Sequence, residues 1–186
     1  MPPPIEITTV RLRLRPWRAV DRVPFAAINA DPAVMAFFPS TLTRDASDRT
    51  VDRWQAHLDG HGWGMWATEI ADTGEFIGAV GLQPVPAHLP FAPQVEIGWR
   101  VGRAHWGKGY ATEAASAAMR TGFEQLGLET LVSIAPRINL RSRAVMARLG
   151  LQPYGAPFRH PSLPADSLLC ECCIYSITRE QWQLRG

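Results

Sequence analysis

Along Thr8–Arg15, TTVRLRLR, apolar Val10, Leu12 and Leu14 alternate with Arg11, Arg13 and Arg15. A repeat of two with one charged face predicts a half-exposed strand whose arginines are solvated. A helix is expected over about Val20–Asn29, broken by Asp31-Pro32. A second is expected over about Arg44–Leu58, with Thr43 as N-cap, Asp45 at the positive end, and Gly60 and Gly62 as the stop. Trp63–Ala71 and Phe76–Gln83 read as strands joined by a hairpin turn at Asp72-Thr73-Gly74-Glu75. The four prolines of Pro84–Pro93 predict a stiff exposed loop, too short to link domains. Gln94–Val101 alternates cleanly: Val95, Ile97, Trp99 and Val101 share one face, Glu96, Gly98 and Arg100 the other. A helix over about Gly109–Leu126 follows, with Ala114, Ala115, Ala118 and Gly122 available for close packing. Then come a strand at Thr130–Ala135 and a helix at Asn139–Leu149 stopped by Gly150. Strands at Gln152–Tyr154 and Leu168–Ile177 and a helical turn at Thr178–Gln183 complete the chain. This order predicts an α/β (α+β) fold, a single layer of sheet with helices packed on it.

Composition narrows the class. With 186 residues, 46% hydrophobic and 19% charged, the chain is expected to form one globular domain over 1–186. The formal charge is +2 and no dense Lys/Arg stripe occurs, so no nucleic-acid partner is expected. No apolar stretch approaches a bilayer span, so no membrane partner is expected either. The opening Met1-Pro-Pro-Pro-Ile-Glu lacks the basic segment and apolar run of a secretory signal, which points to a cytoplasmic protein. Cys170, Cys172 and Cys173 fall in one short stretch, and His57, His61, His88, His105 and His160 are scattered. Zinc wants four ligands at matching spacings, so no metal is expected; the cysteines read as small hydrophobes in a buried strand.

The chemistry concentrates in VGRAHWGKGYATEA, Val101–Ala114. From Gly102 to Lys108 it spells G-x-x-x-x-G-K, but the Ser or Thr that would hold magnesium is replaced by Gly109. The next strand, ending at Ala135, supplies no acidic magnesium partner. A nucleotide-triphosphate loop is therefore rejected. A helix start with close-approaching glycines binds an anion without metal, and Lys108 and Arg103 add charge that suits a diphosphate. Glycines that only cap the helix remain an equal reading at this point.

The segment VEIGWRVGRAHWGKGYATEA resembles the acetyl-coenzyme-A loop of GNAT-fold N-acyltransferases, and more narrowly their RimJ/RimL-like branch, which acetylates protein N-termini and assorted small amines. RLRLRPW (Arg11–Trp17), GEFIGAVGL (Gly74–Leu82), NLRSRAVMARLGL (Asn139–Leu151) and HPSLP (His160–Pro164) resemble successive blocks of that branch, in order, over nearly the whole chain. One departure is Ala104, which stands where the wider family's Q/R-x-x-G-x-G/A loop has Gln or Arg.

The resemblance implies a mixed, mostly antiparallel central sheet of about six or seven strands flanked by helices and splayed between the fourth and fifth. It implies that the main chain of Trp106, Gly107, Lys108, Gly109, Tyr110 and Ala111 grips the diphosphate of acetyl-CoA, with the Trp106 and Tyr110 side chains packed under the loop. The pantetheine arm would dock beside Trp99, Arg100 and Val101 like an added strand, and a backbone N–H there would polarise the thioester carbonyl. Asn139 would bond the pantetheine arm, and Ser142 would protonate the departing sulfur, with Tyr154 as the rival acid. Glu96, facing opposite to Val95 and Ile97, is the candidate base for the amine, set against a merely solvated strand carboxylate. The implied activity is direct acetyl transfer, without metal, to a primary amine of a protein N-terminus or small molecule, by a monomer or homodimer. The alternative is a coenzyme-A-binding sensor or regulatory module without turnover. Phe37-Phe38-Pro39, Trp63–Trp66 and Pro84–Pro93 would shape the acceptor pocket.

Overall fold

The computed structural model describes residues 3–185. Its strands are β1 (Ile7–Thr8), β2 (Leu12–Arg15), β3 (Met65–Ile70), β4 (Phe76–Pro84), β5 (Val95–Val101), β6 (Thr130–Pro136), β7 (Gln152–Pro153), β8 (Phe158–Arg159) and β9 (Glu171–Thr178). Its α-helices are α1 (Arg22–Ala30), α2 (Arg44–His61), α3 (Tyr110–Glu124), α4 (Leu140–Leu149) and α5 (Arg179–Gln183). All nine strands belong to one sheet, ordered β1-β2-β3-β4-β5-β6-β9-β7, with β8 on β9. Six strands of four or more residues form its body; the two-residue β1, β7 and β8 raise the count above the six or seven expected.

Every pairing is antiparallel except β5 with β6, which the α3 crossover makes parallel. That parallel pair holds only two registered positions, Val95↔Leu131 and Glu96↔Val132. By contrast, β5 pairs with β4 along its whole length, from Val95↔Pro84 to Val101↔Gly78. The sheet therefore forks just past Glu96. Ser133 Oγ, from β6, donates to Ile97 O across the opening at 2.9 Å.

Alternation places Leu12, Leu14, Ile97 and Val101 in the core, and α3 covers them with its small face, Ala114, Ala115 and Ala118. Gly122 continues that face: a Cβ there would meet Leu82 Cδ1 at 3.2 Å, a tight contact that Leu82 would have to yield to. Thr43 caps α2 by accepting from Ala46 N. Gly60 lies inside α2, and Gly62, with φ 81°, ends it, because only the second glycine takes the left-handed conformation.

Three expectations are corrected. Val10 is 94% exposed, because the predicted first strand breaks between Thr8 and Leu12 and turns it outward. Arg15 is not solvated: it is 2% exposed and bonded to Asp21 and Glu69 at 2.7 Å, since two carboxylates from other elements compensate its charge. The Pro84–Pro93 segment is not an exposed loop throughout. Val85, Leu89 and Phe91 are buried against Val132 and Ile174 in a second apolar cluster. No described helix is long and apolar enough to cross a membrane.

Candidate active site

The fork opens into a cleft of about 1270 Å³, whose walls include β5 from Glu96 to Val101, the start of α3, the start of α4, and Phe37 and Phe38. At one end lies the glycine loop. Gly107 and Gly109 have φ of 75° and 83°, a conformation that L side chains rarely adopt. The first α3 bond runs from Glu113 N to Gly109 O at 3.0 Å, so the N–H groups of Tyr110, Ala111 and Thr112 have no carbonyl within the helix. They sit at the positive end of the helix dipole.

The loop is held by an anchor that sequence reading missed. Glu113, in the first turn of α3, accepts from Thr9 Oγ1 at 2.6 Å, Arg11 N at 3.0 Å and Arg11 Nε at 2.6 Å. Arg11 Nη1 also donates to Lys108 O at 2.9 Å. Burial alone would raise the Glu113 carboxyl, but these bonds outweigh it and hold the group below its ordinary value. Its charge is thereby fixed and neutralised beside the anion-binding end. Trp106 Nε1 donates to Val101 O at 2.8 Å, the Tyr110 ring lies 4.8 Å beneath the Arg11 guanidinium, and both residues line the cleft.

The charge around the loop differs from expectation. Arg103 pairs with Asp31 at 3.5 Å, and neither Arg103 nor Lys108 lines the cleft. Arg141 does, 4.5 Å above the Trp106 ring. It lies inside the N-x-x-S block, where attention to the first turn of that helix would have found it.

Asn139 and Ser142 come together at the start of α4. Asn139 Oδ1 accepts from Ser142 N at 3.1 Å, capping α4, and Asn139 Nδ2 donates to Ser142 Oγ at 3.1 Å. With its oxygen accepting that bond, the Ser142 O–H is oriented to donate elsewhere, and both residues line the cleft. Tyr154 is 48% exposed and does not line it, because β7 ends at Pro153 on the far edge of the sheet.

Glu96 lies at the fork itself. Gln83 Nε2 donates to its Oε2 at 2.9 Å. Burial nevertheless dominates and pushes the carboxyl up to about 7, against the opposing hydrogen bonds from Gln83 and the Ile134 main chain. The residue is half-buried in the wall of the cleft rather than fully solvated. Four residues on, Arg100 Nη1 donates to Asn29 Oδ1 at 2.7 Å, and burial, then repulsion from Arg53, lowers its guanidinium to about 10.

Of the proposed acceptor loops, Phe37, Phe38 and Met65 line the cleft. Trp63, Trp66 and the Pro84–Pro93 segment do not; Trp66 is fully buried, with Nε1 bonded to Ile5 O at 2.7 Å. Cys172 is buried in β9, and burial pushes its thiol up to about 11. Among the described residues no group of three or more His, Cys, Asp or Glu could hold a metal ion.

The cleft thus joins a helix start with unpaired N–H groups at one end, an open sheet edge along the middle and a carboxyl at the fork. The family described as Acetyltransferase (GNAT) domain matches residues 11–152. FsC-acetyl coenzyme A-N(2)-transacetylase of Aspergillus fumigatus is 35% identical over 182 residues, covering 94% of this chain and 76% of that protein. An acetyltransferase structure from Agrobacterium tumefaciens superposes with a TM-score of 0.74 at 29% identity, over 93% of this chain and 94% of its own. The fold is also that of RimL, a ribosomal alpha-N-protein acetyltransferase solved in complex with coenzyme A, at TM-score 0.76 and 14% identity, over 95% and 99%.

Proposed function

The chain belongs to the GNAT acetyltransferase family, and from that premise we propose that it transfers an acetyl group from acetyl-CoA directly to a primary amine at the β5–β6 fork. The observation that carries this reading is the position of Glu96. Its carboxyl, tuned to about 7, stands where the two strands part, on the cleft that the glycine loop closes at its other end.

Acetyl-CoA supplies the activated acyl group. Of the Trp106–Ala111 main chain expected to grip its diphosphate, the Trp106 N–H is spent on Arg103 O at 3.2 Å, so Gly107–Ala111 supply the N–H groups, with Arg141 beside them and Lys108 contributing only long-range charge. The open edge of Trp99, Arg100 and Val101 takes the pantetheine arm as an added strand, and a backbone N–H there stabilises the carbonyl oxygen as negative charge develops. Asn139 bonds the same arm and aims Ser142. The Ser142 hydroxyl, rather than the remote Tyr154, donates a proton to the departing sulfur. A thiol has a reference pKa of about 8.5, so its thiolate already leaves tolerably and a weak donor suffices.

Glu96 accepts the proton of the attacking amine. An α-amine, with pKa about 7.7–8.0, is roughly a tenth neutral at pH 7, whereas a lysine amine at about 10.4 is neutral in about one molecule per few thousand. A base near 7 therefore serves the former with little further help. The α-amine of a protein N-terminus meets this requirement, as does a small-molecule amine of comparably low pKa, and the name of the Aspergillus relative places its transfer on an N(2) nitrogen. A thiol intermediate has no support here: no cysteine lines the cleft, and burial disfavours the Cys172 thiolate.

Thiol release from acetyl-CoA across a panel of primary amines, with products read by mass spectrometry, tests the proposal. Amine-dependent release is expected. Tight coenzyme A binding with no release under any amine would instead establish the sensor module.

A further inference from the structure

Arg100 has two faces of service. Its main chain belongs to the open edge of β5, while its side chain leaves on the face it shares with Glu96 and enters the part of the cleft bounded by α1, α2 and Phe38. There the guanidinium carbon lies 4.4 Å from the Phe38 ring centre, 5.8 Å from Phe25 and 5.9 Å from Trp54. Aromatic faces attract a cation, but the in-plane N–H groups still require acceptors.

Only one is met. Nη1 donates to Asn29 Oδ1, and Asn29, fully buried, is itself fixed by donating to Ser47 Oγ at 2.8 Å. Arg100 Nε is shut off from solvent and has no hydrogen-bond partner among the described residues. No ion pair among those residues includes Arg100.

Arg15 shows the contrast. Where this fold buries a guanidinium for structural ends, it supplies two carboxylates, Asp21 at 2.7 Å and Glu69 at 2.6 Å. Among the described residues, the charge that acts on Arg100 is like-signed, from Arg53 on α2. A half-buried cation whose Nε is shut off from solvent and which has no counter-ion is costly, and a planar fork of N–H donors matches a carboxylate best.

We propose that the acceptor amine carries a carboxylate and that the Arg100 side chain receives it. This deepens the acetyl-transfer reading and rests on it. At about 3.3 Å of strand per residue, Arg100 stands roughly 13 Å along β5 from Glu96. The carboxylate and the reacting amine are therefore separated by several bonds, as in an ω-amino acid or in a peptide whose second residue is acidic.

The test compares matched acceptors. 4-Aminobutyrate and 6-aminohexanoate are set against their methyl esters, and an Ala-Glu peptide amide against its Ala-Gln counterpart. A charge-assisted hydrogen bond predicts a kcat/KM preference of about 10- to 100-fold for the acid, and the arm that shows it identifies a small molecule or a peptide as the source. In Arg100→Met that ratio falls to near 1, and because it is internal to the variant it is insensitive to a general loss of activity. Equal rates for acids and esters in both arms, or an unchanged ratio in the variant, overturn the inference while acetyl transfer stands. If no amine turns over, the transfer reading fails separately. Calorimetry of 6-aminohexanoate and its methyl ester into coenzyme-A-saturated protein then still decides: tighter binding of the acid upholds the Arg100 site, and equal binding overturns it.

Discussion

The two ends of the cleft are built by different means. The glycine-loop end is main chain: positive-φ glycines, free N–H groups at the start of α3, and a carbonyl tethered by Arg11. The rest of the cleft is side chain: Glu96 at the fork with Gln83 from β4, and Arg100 further along β5 with Asn29 from α1 and Trp54 from α2. Their carboxylates move in opposite directions. Glu113 is held below its ordinary range as a fixed anchor, whereas Glu96 is raised to about 7 and exchanges its proton near neutrality. In the proposed reading, the main-chain cradle would serve a diphosphate whatever side chains cover it, and the side-chain pocket would carry the chemistry and the choice of acceptor.

The sharpest way to break this division is at the fork. Glu96→Gln should lower kcat/KM by about 10²–10⁴-fold, the cost of losing a general base. In the wild type, kcat/KM should fall as pH drops through about 7, where the carboxyl takes up a proton and can no longer accept one. That limb should vanish in the variant and stay in place when acceptors of different amine pKa are exchanged, while the amine's own limb moves. Stability gives an independent sign. The folded carboxyl binds its proton more tightly than the unfolded one, so stability should decline as pH rises from 4.5 to about 7, and the variant should lack that decline. Near-full activity of Glu96→Gln across pH would remove chemistry from the side-chain end.

Next in size is the main-chain end. Gly109→Val forces a β-branched residue to φ 83° with its Cβ 3.3 Å from Arg11 Nη2. Strain of about 1–3 kcal/mol in this conformation predicts an acetyl-CoA affinity about 10- to 100-fold weaker, measured by calorimetry with thermal unfolding as the control. Wild-type affinity would mean that the loop's backbone geometry does not matter to the grip.

The same division explains what was legible in the sequence. A helix start marked by Gly107 and Gly109, and a cap marked by Asn139 three residues before Ser142, are local patterns whose meaning survives without knowing the neighbours. The fold order was legible for the same reason, because alternation and capping act within a few residues. Arg15, Arg11 and Arg100 look alike in a one-dimensional reading. One is buried between two carboxylates, one ties the phosphate loop to β2, and one faces an aromatic pocket. Which is which depends on partners up to 102 residues away in the chain. Likewise, the prolines of Pro84–Pro93 hid an apolar pattern, Val85, Leu89 and Phe91, that only β6 and β9 could bury.

A smaller effect is expected at the start of α4. Ser142→Ala removes a hydroxyl that already accepts from Asn139 at 3.1 Å and has one proton to give. Because a thiolate leaves without much assistance, kcat should drop by about tenfold or less, the range of one ordinary hydrogen bond. The loss should appear in kcat with a thiol leaving group and leave the Glu96 pH limb in place. A loss as large as that of Glu96→Gln would make Ser142 a principal acid and shift weight from the fork to α4.

Smallest of all should be Lys108→Ala, although Lys108 is the residue that makes the loop look like a phosphate-binding motif. Its side chain is exposed and does not line the cleft, while its carbonyl is held by Arg11 through an atom that alanine retains. Only screened, long-range attraction is removed, which predicts an acetyl-CoA KM raised by less than about fivefold. The difference from wild type should shrink further as salt is added, since solvent-exposed charges are screened over about 10 Å at 0.1 M. Gly109→Val should show no such salt dependence, because its defect is conformational. If Lys108→Ala cost more than Gly109→Val, the anion would be held by a side chain after all, and the contrast between the two ends of the cleft would be lost.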